Sequence, residues 1–287
     1  MRRQHRSAIF ISFVLPAAIA AIACASDKTT GKIAFHSNRE GTYSIYVIDP
    51  DGTDLRRVTD GVARGLCPDW SPDGSAIVYV SDGDIHILKV SDDSSKVTPK
   101  RVATGRQPDW SPDGEWIAYE CEGNICVIDT GGERQRRLTN HPAEDSRPDW
   151  SPDGRQILFN SERDGNLEIY IMDANGDNIV RLTETEESEW FPRWSPDGQR
   201  IAFWLTTDET ATGDIYTMAT DGSDRQQLTN HEATDEDPVW SPDGSQIAFH
   251  TYRDSANCEI YVMDADGGNP RRLTNNPAHD AWPAWGQ

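Results

Sequence analysis

A seven-residue string, Pro-x-Trp-Ser-Pro-Asp-Gly, recurs in this chain at 68–74, 108–114, 148–154, 192–198 and 238–244, and a truncated Pro-x-Trp follows at 283–285. Successive starts lie 40, 40, 44, 46 and 45 residues apart. Five full matches at near-constant spacing are not an accident of composition. In a repeat of this period each unit is one supersecondary element that cannot bury its apolar face alone, so the units must associate. The content of one unit therefore settles the fold class.

Each unit reads as four strands. Strand A carries Pro-x-Trp. The Asp-Gly turn leads into a short apolar strand B, as in Ile201-Ala202-Phe203 or Ile247-Ala248-Phe249. A polar loop such as Arg163-Asp164-Gly165 precedes an alternating strand C, as in Glu168-Ile169-Tyr170-Ile171-Met172-Asp173. A turn rich in Asn, Asp and Gly then leads to strand D, which ends in Arg-Leu-Thr at 181–183. Period-two alternation bounded by turn residues is the hairpin pattern, and no helical period is sustained. The chain opens on a B strand at Ile33 and ends on an A strand at 282–286, so that last strand completes the sheet begun by the first B, C and D strands. The predicted fold is all-β: a six-bladed β-propeller of four-stranded antiparallel blades, its ring closed by the C-terminal strand joining the N-terminal blade. Closure removes the open edge that invites pairing with another chain, so a monomer is expected. The propeller is predicted as a single domain over 32–287.

Ahead of it, Arg2, Arg3 and Arg6 precede the apolar run 8–23, which Pro16 interrupts. Sixteen residues are short for a membrane span, and the order of basic, apolar and small residues is that of a signal peptide over 1–23. Ala21-Ile22-Ala23-Cys24 resembles a lipobox with Ala21 where Leu is usual, which makes Cys24 the candidate lipidation site; ordinary cleavage after Ala23 or Ala25 is the competing reading. A short linker, 24–31, follows. The expected location is exported, periplasmic or cell-surface, with membrane contact only through an anchor at Cys24. Removing 1–23 takes away three arginines and no acid, moving the formal charge from −21 to −24, which makes nucleic acid a poor partner. Cys121 and Cys126 flank Glu122-Gly123-Asn124 and can face each other across a hairpin as a disulfide, which an exported protein permits. Cys67 and Cys258 fall on units that are not neighbours.

The repeat resembles that of TolB-type (WD40-like, PD40) propellers, as in Pro148-Asp149-Trp150-Ser151-Pro152-Asp153-Gly154 followed by Ile157-Leu158-Phe159 and Ile169-Tyr170-Ile171-Met172-Asp173. The resemblance covers 31–287, and the separate domain that precedes the propeller in TolB is not expected here. TolB works in the Tol-Pal envelope system. The resemblance thus implies a non-catalytic binding scaffold of the cell envelope, recognising an envelope protein or peptide.

Function is expected where loops depart from the repeat. Three residues before the proline stand Asp145, Asp235, Asp280 and Glu189, against Gly65 and Gly105 in the second and third units; His141, His231 and His279 lie in the same loops. This predicts an acidic, lopsided rim at one channel mouth. Three readings stand open: aspartates shaping the loops through backbone bonds, recognition of a basic or amide-rich partner, and a calcium ion among converging carboxylates, which no EF-hand-like loop supports. Trp190 and Trp282, outside the Pro-x-Trp register, add aromatic contact to the second, and Trp204 ends a B strand near the same face. Asp149 beside Arg193 in consecutive units suggests an inter-blade ion pair, and the long loop 205–213 of the fifth unit breaks the symmetry. No nucleophile elbow, H-E-x-x-H or phosphate loop is present, so no catalytic residue, metal ligand or cofactor is assigned. The alternative is a metal-dependent carbohydrate-active lyase or hydrolase using the channel as its active site, since some pectin-degrading lyases share this repeat. Against it, the strong negative charge suits an anionic substrate badly, and His36 and His250 occupy equivalent repeat positions.

Overall fold

The computed structural model describes residues 31–59, 66–90, 98–206, 212–254 and 257–287; the predicted signal peptide, Cys24, Gly65 and residues 207–211 of the long loop lie outside them. Six four-stranded antiparallel sheets are arranged as blades. The first is β24 (Asp280–Trp285), β1 (Ile33–Ser37), β2 (Ser44–Ile48) and β3 (Arg56–Arg57). The second is β4 (Leu66–Trp70), β5 (Ala76–Ser81), β6 (Asp84–Lys89) and β7 (Lys100–Thr104), and the third β8 (Arg106–Trp110), β9 (Trp116–Cys121), β10 (Asn124–Asp129) and β11 (Gln135–Arg137). The fourth is β12 (Asp145–Trp150), β13 (Gln156–Ser161), β14 (Glu168–Asp173) and β15 (Val180–Arg181). The fifth is β16 (Ser188–Trp194), β17 (Arg200–Thr206), β18 (Asp214–Ala219) and β19 (Gln226–Gln227); the sixth is β20 (Asp235–Trp240), β21 (Gln246–Thr251), β22 (Glu259–Asp264) and β23 (Arg271–Arg272). The ring closes in the predicted way, Ile33 pairing with Trp285 and Ser37 with Asp280 across β1 and β24.

Repeated residues have repeated jobs. In each Ser-Pro-Asp-Gly turn the serine hydroxyl donates to the aspartate at 2.6–2.7 Å and accepts the N–H five residues on at 2.9 Å. The glycine sits at φ 67–75°, where a side chain is strained. The threonine of Arg-Leu-Thr and its equivalents, Thr59, Thr139, Thr183, Thr229 and Thr274, accepts a backbone N–H from strand C at 2.9–3.0 Å. A two- or three-residue outer strand is thereby held to its neighbour by more than its few ladder bonds. The core is a series of inter-blade seams: Ile157, Phe159, Tyr170 and Met172 of the fourth blade meet Ala118, Ile125 and Val127 of the third, with Trp150 against them. Each such side chain contributes about 1.5–3 kcal/mol on burial. Cys121 and Cys126 are bonded across the β9–β10 hairpin, and Cys67 and Cys258 are free thiols.

The middle residue of Pro-x-Trp links consecutive blades through the channel wall. Asp69, Asp109 and Asp149 each accept the backbone N–H of the next blade's tryptophan, Trp110, Trp150 and Trp194, at 2.7–2.8 Å. Arg193 holds the position in the fifth blade and donates to Asp149 at 2.9 Å and Asp109 at 3.4 Å. Burial lifts Asp69 to about 6 and lifts Asp149 as well, and burial with repulsion from Asp149 and Asp69 lifts Asp109 well above the carboxylate range. Carboxyls raised in the folded chain stabilise it most when protonated. Their contribution is complete below the unfolded range near ~4 and is lost as pH rises through about 6.

Two outcomes are expected. Truncation after Ala281 should lower the stability of the whole domain by at least the ~3–5 kcal/mol typical of deleting one buried tryptophan, read from the denaturant midpoint; an unchanged midpoint would mean that the ring does not depend on β24. Arg193→Met leaves the three aspartates without their cation. Its stability should fall more steeply than that of the parent between pH 5 and pH 8, the gap reaching about 3–5 kcal/mol at the upper end; parallel pH profiles by urea denaturation would sink this account of the cluster.

Candidate functional site

In every blade the residue immediately before the proline of Pro-x-Trp is left-handed: Cys67, Gln107, Arg147, Phe191, Asp237 and Trp282 have φ of 49–54°. At the same place the A–B ladder shifts register, between Leu66 and Asp69, Arg106 and Asp109, Ser146 and Asp149, Trp190 and Arg193, and Glu236 and Val239, and across Ala34 and His36 in the first blade. A bulge of this kind re-aims a side chain out of the pleat, and a non-glycine residue held there costs of order 1–3 kcal/mol. All six residues line one cleft at the channel mouth, of about 520 Å³ counting space open to solvent, together with the prolines that follow five of them and Arg193. The six are chemically unlike one another, whereas the residues around them repeat.

Two aromatic clusters flank the cleft. In the fifth blade Trp190, Phe191 and Trp204 lie with ring centroids 5.7–6.5 Å apart, and the Arg147 guanidinium covers Trp190 at 4.6 Å and Phe191 at 4.3 Å. Gly213 is required here, because a Cβ would fall 1.7 Å from the Trp204 indole nitrogen. Across the cleft Trp282 meets the buried ring of His36 at 4.9 Å, with Tyr43 at 5.0 Å and His279 at 5.8 Å from the same ring. Burial, helped by His279 and His250, holds His36 well below the usual histidine range, and neither ring nitrogen has a hydrogen-bond partner among the described residues. His250, at the equivalent position of the sixth blade, goes the other way. Burial disfavours its charge, but Glu236 at 3.4 Å and Asp237 at 3.3 Å outweigh that and raise it.

The predicted acidic rim is not a surface of free carboxylates. Asp145, Glu189, Asp235 and Asp280 do stand at the starts of their A strands, but all are 0% exposed. Arg163 donates to both oxygens of Asp145 at 2.8 and 3.0 Å, Arg253 reaches both oxygens of Asp235, and Arg39 donates to Asp280 at 2.8 Å. Each of these arginines comes from the B–C loop of the same blade and covers the Phe–Tyr pair of its B and C strands. In the fifth blade Arg225, entering from the other side, donates to Glu189 at 2.6 Å; burial still lifts that carboxyl to about 7. The third blade has Gly105 in place of the acid, where a Cβ would fall 2.5 Å from Tyr119, and Glu122 and Gly123 form its B–C turn in place of an arginine loop. Acid and arginine are present or absent together. The sequence carries that signal: Ser-x-Arg or Thr-x-Arg after strand B accompanies Asp145, Asp235 and Asp280. His141 and His231 are exposed, and each ring accepts the N–H two residues on, from Ala143 and Ala233, at 3.1 and 3.0 Å, which closes a local turn. Of the eight predicted contact residues, Trp282 lines the cleft and Trp190 backs it. Cys67, Gln107, Arg147, Phe191 and Asp237 also line it, and the sequence signal they carry is the variability of one register position inside an otherwise constant string. Among the described residues no group of three or more His, Cys, Asp or Glu is placed to hold a metal ion.

Residues 184–287 match the model of the TolB beta propeller domain, and residues 106–211 that of the Tricorn protease N-terminal beta propeller domain. The Tol-Pal system protein TolB of Geobacter sulfurreducens is 47% identical over 45 residues, 16% of this chain and 10% of that protein. The chain aligns with about a tenth of the length of the curated relatives it matches. Among solved structures, TolB from Acinetobacter baumannii superposes with a TM-score of 0.76 at 24% identity over 90% of this chain and 67% of that one. Oligogalacturonate lyase in complex with manganese gives 0.59 at 17% identity over 86% and 74%. The last two are likenesses of fold. The blade topology and the repeat agree with these matches: this chain is a six-bladed β-propeller whose residues 184–287 match the TolB beta propeller domain.

Proposed function

We propose that the protein is an exported, envelope-associated, non-catalytic binding scaffold that takes a protein or peptide partner at the mouth of its channel. The observation carrying this reading is the ring of six strained, mutually unlike residues around the cleft, beside which the repeated residues are consumed by turns, seams and ion pairs. Six left-handed non-glycine residues at one mouth, their strain spent on side-chain direction, are the kind of feature found at binding sites. Phe191, Trp282 and the Arg147 that stacks on Phe191 are the residue types that dominate binding energy at interfaces. The TolB relatives, named as proteins of the Tol-Pal system, support an envelope setting. No cofactor forms part of the reading. The buried acids Asp145, Asp235, Asp280 and Glu189 position the A strands that carry the ring, and direct contact falls to the ring itself with Trp190 behind it.

A pull-down from solubilised envelopes tests the mouth. Phe191→Ala combined with Trp282→Ala should weaken capture of whatever the parent protein recovers by roughly 2 kcal/mol or more, about thirtyfold, while His141→Ala with His231→Ala should leave it intact. Equal recovery by all three proteins, each checked for an unchanged melting transition, would remove the channel mouth from the account. Export with an anchor at Cys24 belongs to the same reading. Radiolabelled palmitate should enter the parent protein and not Cys24→Ser, which should move from the membrane fraction to the soluble one; label in both would exclude that site.

A further inference from the structure

Asp237 differs from the other acidic side chains of the channel. Asp69, Asp109 and Asp149 accept tryptophan N–H groups, and Asp145, Glu189, Asp235 and Asp280 are bonded to arginines. Asp237 is 7% exposed, yet neither of its oxygens accepts a hydrogen bond from any described residue. Its nearest charged neighbour, His250, lies 3.3 Å away outside hydrogen-bond geometry. A buried carboxylate without donors is costly, and this one is held at φ 53° so that it lines the cleft. A second group there is also incomplete: Arg147 Nε is buried without an acceptor among the described residues.

Resting on the channel-mouth reading, we infer that the cleft receives a basic group of a polypeptide, its ammonium or guanidinium donating to Asp237 and a neighbouring peptide carbonyl accepting from Arg147 Nε. The two vacant positions ask for one cationic donor and one neutral acceptor on the same ligand, and a lysine, an arginine or a chain's amino terminus supplies both. Phe191 and Trp282 line the same cleft and add aromatic contact for the stem of the basic side chain. A hard divalent ion would want six or more oxygens, and no such set is assembled among the described residues. The competing positive charges are already engaged, Arg193 with Asp149 and Asp109, and Arg147 on the aromatic faces. Burial, with Glu236 adding to it and His250, Arg147 and Arg193 opposing, lifts Asp237 to about 6. Cys67 and Tyr252 also face it. Only the ionised carboxylate holds a cation, so affinity should fall as pH drops through that value.

The full-length protein titrated with N-acetyl-lysine amide, N-acetyl-arginine amide, glycine amide and the neutral N-acetyl-glycine amide, followed by tryptophan fluorescence, tests the inference. At least one cationic probe should bind about tenfold or more tighter than the neutral one, and the preferred probe distinguishes a side chain from an amino terminus. Asp237→Asn should erase the preference. Should that variant fail to fold, the parent must lose the preference between pH 7 and pH 5. Equal binding of charged and neutral probes, no binding of any probe, or a preference that survives Asp237→Asn or acidification would overturn the inference. A pulled-down partner lost by Phe191→Ala with Trp282→Ala but kept by Asp237→Asn would overturn it while leaving recognition at the mouth standing.

Discussion

Everything in this molecule depends on the pairing of β24 with β1. A propeller blade is hydrophobic on both faces, and each seam needs a neighbour on either side, so an incomplete ring would expose two seams at once. Here the two ends of the chain meet inside one sheet, and Gly286 donates to the carbonyl of Lys32 at 2.9 Å to continue the ladder past the last strand. The seam between the first and sixth blades, with Phe35, Ile33 and Trp285 against Ile260 and Val262, exists only when that pairing is made. Closure is also the longest-range contact in sequence, and contacts of that kind form late and at high loop entropy.

With the ring closed, polar groups divide between two tasks. Those that repeat are satisfied internally: serine with aspartate in the turns, threonine with the C-strand amide, acid with the arginine stacked on a Phe–Tyr pair. Burying such charges contributes little net stability, because desolvation consumes most of the Coulombic gain. Their value lies in geometry, fixing where each A strand begins. The residues that do not repeat are left at the channel, where both Asp237 oxygens and Arg147 Nε are buried without a hydrogen-bond partner among the described residues.

Much of the architecture was legible because strand order follows from local chemistry. Asp-Gly turns, alternating segments and the count of strands from Ile33 to Trp285 were enough to give six closed blades, and adjacency in the repeat was enough to pair Asp149 with Arg193. Of the candidate cleft, only Trp282, with Trp190 behind it, was legible in the sequence. Asp145 and Asp235 were read as part of an acidic rim, with loop shaping, partner recognition and calcium all left open, because a carboxylate's position is visible in sequence, whereas the guanidinium that covers it, 18 residues away, is visible only once blades are compared as units. Phe191, Asp237 and their four counterparts were hidden for a different reason. Strand alternation assigns a side chain to one face or the other, and a left-handed residue at a bulge obeys neither assignment.

That bulge makes the mouth a ring of six equivalent slots. Each blade presents one side chain from the same backbone conformation, and neighbouring slots touch, Arg147 stacking on Phe191 and donating its backbone N–H to Gln107 Oε1. Such a scaffold presents a different side chain from each blade on one repeated backbone. Repeat proteins of this design can therefore diverge rapidly in specificity while their blades stay nearly constant.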